Sequence, residues 1–351
     1  MRPFRIARSR FTSCCGHGAA PPQPSTGRRD FLTMAAAGVA GFASLMYSRD
    51  GAAQVRAFPP PPPAVSPVEG LIDFHLHTAP DVFGRALDDE EAAALYRDNG
   101  VEAVVMKSHV LPTADRAWFV RKHLPALKAF GGIVLNAAVG GINPEAVQWM
   151  WRMQGGFGRV VWFPTFDADH HVKHFKDSPE GVKVLGPDGK VLPPVREVLK
   201  ICAQQKLVVC TGHLSPGEAL AVARAARDAG CDRIAITHSE FEVVNLSLDE
   251  MKQAAAIGAK MEICAMGPLM GPNAHLAWMR SWRQVPVKET AERIKSVGAE
   301  HFLLATDLGQ TGNPSPPDGY KLLVAALLAE GITKEQIRIM GREVPGRLLM
   351  G

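Results

Sequence analysis

Eight short apolar runs alternate with helix-like stretches along this chain, and that alternation restricts it to an α/β fold. The runs are 71–74, 103–106, 133–138, 160–163, 207–210, 234–236, 261–264 and 302–305. The intervening stretches carry helix signals. Acidic residues open 88–99 and Gly100 follows it, while Ser247 and Glu250 have the spacing of a capping box. Residues 114–130 read as one helix. Strands separated by helices pair in parallel, and eight of them predict a closed, eight-stranded (β/α)8 TIM barrel. A doubly wound open sheet is the alternative. Polar, ligand-type residues just past strands around the whole series favour the barrel. A long insertion, about 165–194, follows the fourth strand, and Pro187-Asp188-Gly189 within 183–192 predicts a β-hairpin there.

The first residues read as an address, not as part of the fold. Arg28-Arg29 precedes a small, apolar run from Met34 to Met46, and Gly51-Ala52-Ala53 supplies a small-residue cleavage site. This pattern predicts a twin-arginine signal peptide over 1–53, hence the export machinery as a partner and a periplasmic or secreted location. The apolar run is shorter than the roughly 20 residues that span a bilayer, so no stable membrane insertion is expected. Residues 54–67 contain five consecutive prolines, a stiff extended linker. The globular domain is placed at 68–351. The chain's net charge of +4 resides in the arginines of the address segment; the rest is close to neutral, which gives no basis for nucleic-acid binding. Cys202, Cys210, Cys231 and Cys264 fall in or near apolar runs and are expected to be buried free thiols.

Five residues carry the chemistry. His75 and His77 lie at the end of the first strand, two apart and therefore on one side. His213, His238 and Asp307 follow the fifth, sixth and eighth strands, in Thr211-Gly212-His213, Thr237-His238 and Thr306-Asp307-Leu308-Gly309. Imidazoles and a carboxylate are ligands for zinc and similar divalent metals. In a barrel these positions converge at the C-terminal face of the strands, where barrel enzymes keep their active sites.

This order resembles the amidohydrolase superfamily: His-x-His after strand one, His after five, His after six, Asp after eight. The segments Lys107-Ser108-His109, Leu135-Asn136 with Gly140-Gly141-Ile142-Asn143-Pro144, and Thr306-Asp307-Leu308-Gly309-Gln310 resemble an uncharacterised branch of it. The resemblance implies one or two divalent metals, most simply zinc. His75, His77 and Asp307 would hold the more buried one. His213 and His238 would hold a second, or His213 would join the first while His238 orients substrate. It also implies Asp307 as general base. The stretch after strand four lacks the carboxylated lysine or glutamate that bridges two-metal members. Lys107, after strand two, is the nearest substitute, and is read as a carbamate bridge, a cation for a substrate oxyanion, or an ion-pair partner.

Three more residues are candidates for substrate contact: Arg85, with a surface ion pair as its other reading, His109 and Asn136. His170, His171 and His174 are read as a polar lid loop or an extra ligand cluster, Glu262 as a buried structural ion pair, and Trp278 and Trp282 as a pocket wall or rim packing. The leading functional expectation is metal-assisted hydrolysis of an amide, lactone or ester bond in a small molecule. The alternatives are a mononuclear zinc decarboxylase, a phosphoesterase, and a binding barrel without chemistry. A homo-oligomer is compatible with the sequence.

Overall fold

The computed structural model describes residues 65–178 and 180–351. The expected signal peptide and nearly all of the proline linker lie outside them. Eight parallel strands run in sequence order: β1 (Ile72–Leu76), β2 (Ala103–Met106), β3 (Lys128–Val134), β4 (Gly158–Trp162), β5 (Val208–Cys210), β6 (Ile234–Ile236), β7 (Lys260–Cys264) and β8 (Phe302–Ala305). β1 and the end of β8 close the ring. Asp307 N–H donates to the His75 carbonyl at 2.8 Å, and His77 N–H donates to that of Leu308 at 2.9 Å. Helices connect the strands, so the molecule is a (β/α)8 barrel. The strands are buried along almost their whole length, as parallel strands covered by helices must be.

Most strand positions match the sequence expectation; the third does not. The stretch expected to be helical to residue 130 ends at His123, and Lys128–Phe130 belong to β3. Pro125 is the cause. It has no N–H to donate, and its ring clashes with the preceding turn of any helix that tries to continue. The expected hairpin in the insertion is a tight turn with a single antiparallel bridge, Leu185 to Val191. The insertion also holds a short helix, Asp169–His174. Among the described residues, no helix is long and apolar enough to cross a membrane. Cys202, Cys210, Cys231 and Cys264 are buried and free.

Candidate metal centre

The strand ends are laced together by side chains lying next to the candidate ligands. Thr306 donates its N–H (2.8 Å) and its hydroxyl (2.6 Å) to Asp73, which also accepts from His75 N–H at 3.1 Å and from Tyr96. Asp73 thus ties β1 to the end of β8 directly beneath the site. Burial pushes its carboxyl up to about 6, against the pull of those donors. Thr237 and Thr211 do the same for β5 and β6: the Thr237 hydroxyl accepts from Gly212 N–H at 2.9 Å, and Thr211's accepts from Thr237 N–H at 3.2 Å.

Two glycines in the motifs are forced. Gly212 has φ +65°, and a Cβ there would meet the Phe163 carbonyl at 2.2 Å; Gly309 has φ +126°, and its Cβ would meet the His77 carbonyl at 1.7 Å. Only glycine lets these turns lie so close to a neighbouring strand end. His238 and Asp307 themselves hold positive φ, +27° and +54°. Such backbone costs of order 1–3 kcal/mol, and the surrounding hydrogen bonds hold it in place.

Three donor atoms meet at one point. His75 Nε2 and His77 Nε2 are 3.2 Å apart, and Asp307 Oδ1 is 3.1 Å from each. All three residues are buried. Zinc bonds of about 2.0–2.1 Å in a tetrahedral shell set ligand atoms roughly 3.3 Å apart, close to this triangle. The imidazoles are in the form a metal needs. Burial lowers His75 to about 3 and His77 well below the usual histidine value, so both are neutral. Glu262 accepts from His75 Nδ1 at 3.2 Å, which leaves the Nε2 lone pair facing the triangle. Its other oxygen accepts from His238 N–H at 2.7 Å. The carboxylate expected to be a structural ion pair is therefore a buttress for two site histidines, raised to about 7 by burial.

Lys107 lies at the centre. Its Nζ is 3.1 Å from His75 Nε2 and 5.5 Å from the Trp162 ring centroid, and the residue is 1% exposed. Among the described residues it forms no ion pair. Burial lowers its ammonium from the ordinary lysine value, opposed by Asp307 and Glu262. Its charge is felt by His75, His77, His109, His213 and His238 alike. Burial also raises Asp307 from the usual carboxylate range, with His75 and Lys107 opposing.

His213 and His238 face each other, ring centroids 4.8 Å apart, and both are neutral through burial. His238 stacks flat on Phe241 at 4.7 Å, and its buried Nδ1 has no hydrogen-bond partner. An orphaned buried nitrogen is costly unless something completes it. His213 Nδ1 is 2.9 Å from His171 Nδ1.

The three expected substrate contacts are largely committed to the protein. Arg85 is not a surface pair: its side chain is buried and bonded to Asp81 at 2.7 Å, with Nη2 3.3 Å from His77 Nδ1. His109 stacks on His77 at 4.8 Å and bonds Thr165 at 2.9 Å. Asn136 uses its amide on the His109 carbonyl and on Thr165, binding the ends of β2, β3 and β4 together. Of the insertion histidines, His171 is buried at the site, which corrects the polar-lid reading for that residue. His170 bonds the Val243 carbonyl at 2.9 Å. Trp282 packs against His171 and Phe175, and Trp278, partly exposed, packs on Trp282.

The barrel is similar in fold to solved hydrolases. An organophosphorus hydrolase from Deinococcus radiodurans is 15% identical, with 81% of this chain and 94% of that one covered and a TM-score of 0.52. A protein with organophosphate hydrolysis activity engineered from a weak promiscuous lactonase template is 15% identical, covering 82% and 98%, at 0.53. A mutant PTE-like lactonase from Deinococcus radiodurans gives 15%, 82%, 98% and 0.52. At this identity the likeness concerns the fold. No curated protein matches the chain. Residues 70–262 match the model of a family of unknown function, DUF6282, and the chain belongs to that family.

Proposed function

We infer that this protein is a metal-dependent hydrolase of a small molecule, with an amide, lactone or ester as the bond cleaved. The observation that carries the reading is the triangle of His75 Nε2, His77 Nε2 and Asp307 Oδ1 at 3.1–3.2 Å, set at the C-terminal ends of β1 and β8. These residues would hold one divalent ion, zinc by donor type. His213 and His238 would hold a second. Lys107, its ammonium disfavoured by burial and its Nζ 3.1 Å from His75 Nε2, would join the ligands if carboxylated by carbon dioxide. When bound, such an ion lowers the pKa of water towards about 7 and polarises a carbonyl.

The chain's own groups divide the remaining work. Asp307 takes the proton from the attacking water and returns it to the leaving group. Glu262 keeps the His75 ring in its orientation and tautomer, and Asp73 holds the His75 backbone in place. Phe166, 4.2 Å from the His109 ring and 5.3 Å from that of His213, keeps bulk water away. The structural relatives include an organophosphorus hydrolase and a lactonase, which supports lactones and organophosphates as first substrates to try.

A panel of lactones, esters, amides and phosphotriesters, assayed before and after chelation, tests the reading. Turnover that vanishes with chelator and returns with zinc supports it; turnover indifferent to chelator overturns it. A second reading is favoured by one observation, the buried Lys107 without an ion pair: with a single metal and no carboxylation, Lys107 would grip a carboxylate, and decarboxylation becomes the reaction. Release of carbon dioxide from small carboxylic acids separates the two. We also propose twin-arginine export to the periplasm, on the strength of Arg28-Arg29 and the run that follows. Replacing both arginines with lysine should leave the protein in the cytoplasm; unchanged export would refute it.

A further inference from the structure

The end of the barrel away from the metal centre carries its own concentration of charge. Between the N-terminal ends of β4 and β5 lies an open cavity of about 440 Å³. The loop joining the helix Pro144–Trp151 to β4 forms one wall, and Arg159 of β4 and Gln205, just before β5, form the other. Cavities of this size hold small molecules. No acidic residue lines it, and two arginines do, Arg152 and Arg159.

The protein leaves both guanidiniums uncompensated. Arg152 lies over the rings of Trp149 and Trp151, 5.6 and 5.7 Å from their centroids. Arg159 is half-buried, and its Nε is buried without a hydrogen-bond partner. Two more arginines stand nearby. Burial, then the charge of Arg233, holds Arg159 below the ordinary arginine value; burial, then Arg159, does the same to Arg121. These neighbours are spent on backbone. Arg121 donates to the Ala129 carbonyl at 2.7 Å, and Arg233 to those of Lys206 and Leu348 at 3.1 and 3.3 Å. Among the described residues, the one carboxylate paired with any of the four is Asp232, exposed and 3.8 Å from Arg233.

Like charges gathered without counter-charges repel, and half-buried ones are less screened by water. An anion in the cavity would remove that cost. Guanidinium forks match the oxygens of carboxylates and phosphates, and two forks are balanced by a doubly charged ligand. The amides of Gln154 and Gln205 add donors at the cavity wall. Gly155 and Gly156, at φ +91° and +65°, turn the loop without setting a side chain over the opening.

We propose that this cavity binds a small dianionic oxyanion of the phosphate class, gripped by Arg152 and Arg159. The site lies at the opposite end of the strands from His75, His77 and Asp307, and stands independently of the metal-dependent reading.

Calorimetric titration of the whole chain with inorganic phosphate at constant ionic strength tests this, beside Arg152→Gln, Arg159→Gln and Arg159→Lys. Saturable binding is expected in the wild type, weakened about 10-fold or more in each Gln variant and partly recovered in Arg159→Lys, which keeps the charge without the fork. Acetate, a monoanion, should bind more weakly than phosphate. Glycerol 2-phosphate identifies the source: tighter binding than phosphate points to an organic phosphate monoester, equal binding to free phosphate. Thermal unfolding without phosphate shows whether each variant is folded; should Arg159→Gln fail, Arg152→Gln, whose side chain is exposed, carries the test. Wild-type protein without saturable phosphate binding would overturn the proposal. So would phosphate affinity unchanged in both Gln variants, since the anion would then be held elsewhere, as at the metal centre.

Discussion

The two halves of the centre are built differently. His75, His77 and Asp307 come from β1 and the end of β8, two strands locked together by backbone hydrogen bonds and by Asp73. Their donor atoms already share one point. His213 and His238 come from β5 and β6, and their rings face each other without such a convergence; one leans on a residue from an insertion, the other keeps an orphaned nitrogen. A ligand set carried on adjoining strands is organised by the barrel alone. A set that needs a loop inherits the loop's own stability, because loops open more readily than strands. The first half should therefore bind metal more tightly and lose it last.

The sharpest way to break this comparison is at Asp307. Asp307→Asn keeps an oxygen for the first half but removes the proposed base. Turnover should fall about 10²–10⁴-fold with most of the metal retained, as read by kinetics beside elemental analysis. Near-normal rates would place the base elsewhere.

Next come the glycines. Gly309→Ala drives a methyl group into the His77 carbonyl, and Gly212→Ala into that of Phe163. Each should cost about 3 kcal/mol or more of stability in chemical denaturation. Gly309→Ala should also weaken the first half, and Gly212→Ala the second, in a zinc titration. Loss of both halves from either change would show that they are not separable.

Glu262 joins the halves, since it holds His75 by its ring and His238 by its backbone. Glu262→Gln should weaken metal binding about 10–100-fold at the first half, measured by competition with a chelator. An effect confined to the second half would reverse the roles assigned here.

Counted per group and per pH unit, the smallest effect is on stability against acid in the metal-free protein. Burial holds His75 at about 3 and His171 at about 4, and His77, His109, His213 and His238 well below the unfolded value of 6.5. Each takes up its proton readily only on unfolding. Its contribution is complete above about pH 6.5 and is lost as pH falls, by about 1.4 kcal/mol per pH unit per group until the folded value is reached. Asp73 and Glu262, raised to about 6 and about 7, act in the opposite sense in that window, because folding holds their protons. Six histidines against these acids leave a net loss between about pH 6.5 and 4, visible as a falling denaturation midpoint. Zinc should steepen it, since ligand histidines must shed protons to bind.

Much of this was legible in the sequence because a buried parallel strand is a short apolar run, and a barrel repeats that run eight times. The ligand positions were legible because each polar residue interrupts such a run where it ends. What stayed hidden has physical reasons. Pro125 sits inside an otherwise helical composition, and its effect on 124–130 was overridden by the surrounding pattern. Glu262 is a lone acid in the strand Lys260-Met261-Glu262-Ile263-Cys264; its spacing showed burial, but not that its oxygens meet His75 and the His238 N–H. His171 lies in a stretch of three histidines with no strand end to mark it, and only the insertion's fold carries it to His213. Asn136 read as a free polar group because its hydrogen bonds to Thr165 are non-local; Arg85's partner, Asp81, is only four residues away, but the sequence did not show that the pair is turned inward against His77.

Metal content per chain is the most direct measurement, made by elemental analysis of protein purified without chelator and with bicarbonate present, beside His75→Ala and His213→Ala. Zinc or a similar divalent ion is expected in the wild type, with loss of the tight ion in His75→Ala and its retention in His213→Ala. Wild-type protein that holds no metal even after reconstitution, or a His75→Ala protein that keeps its full complement, would contradict it.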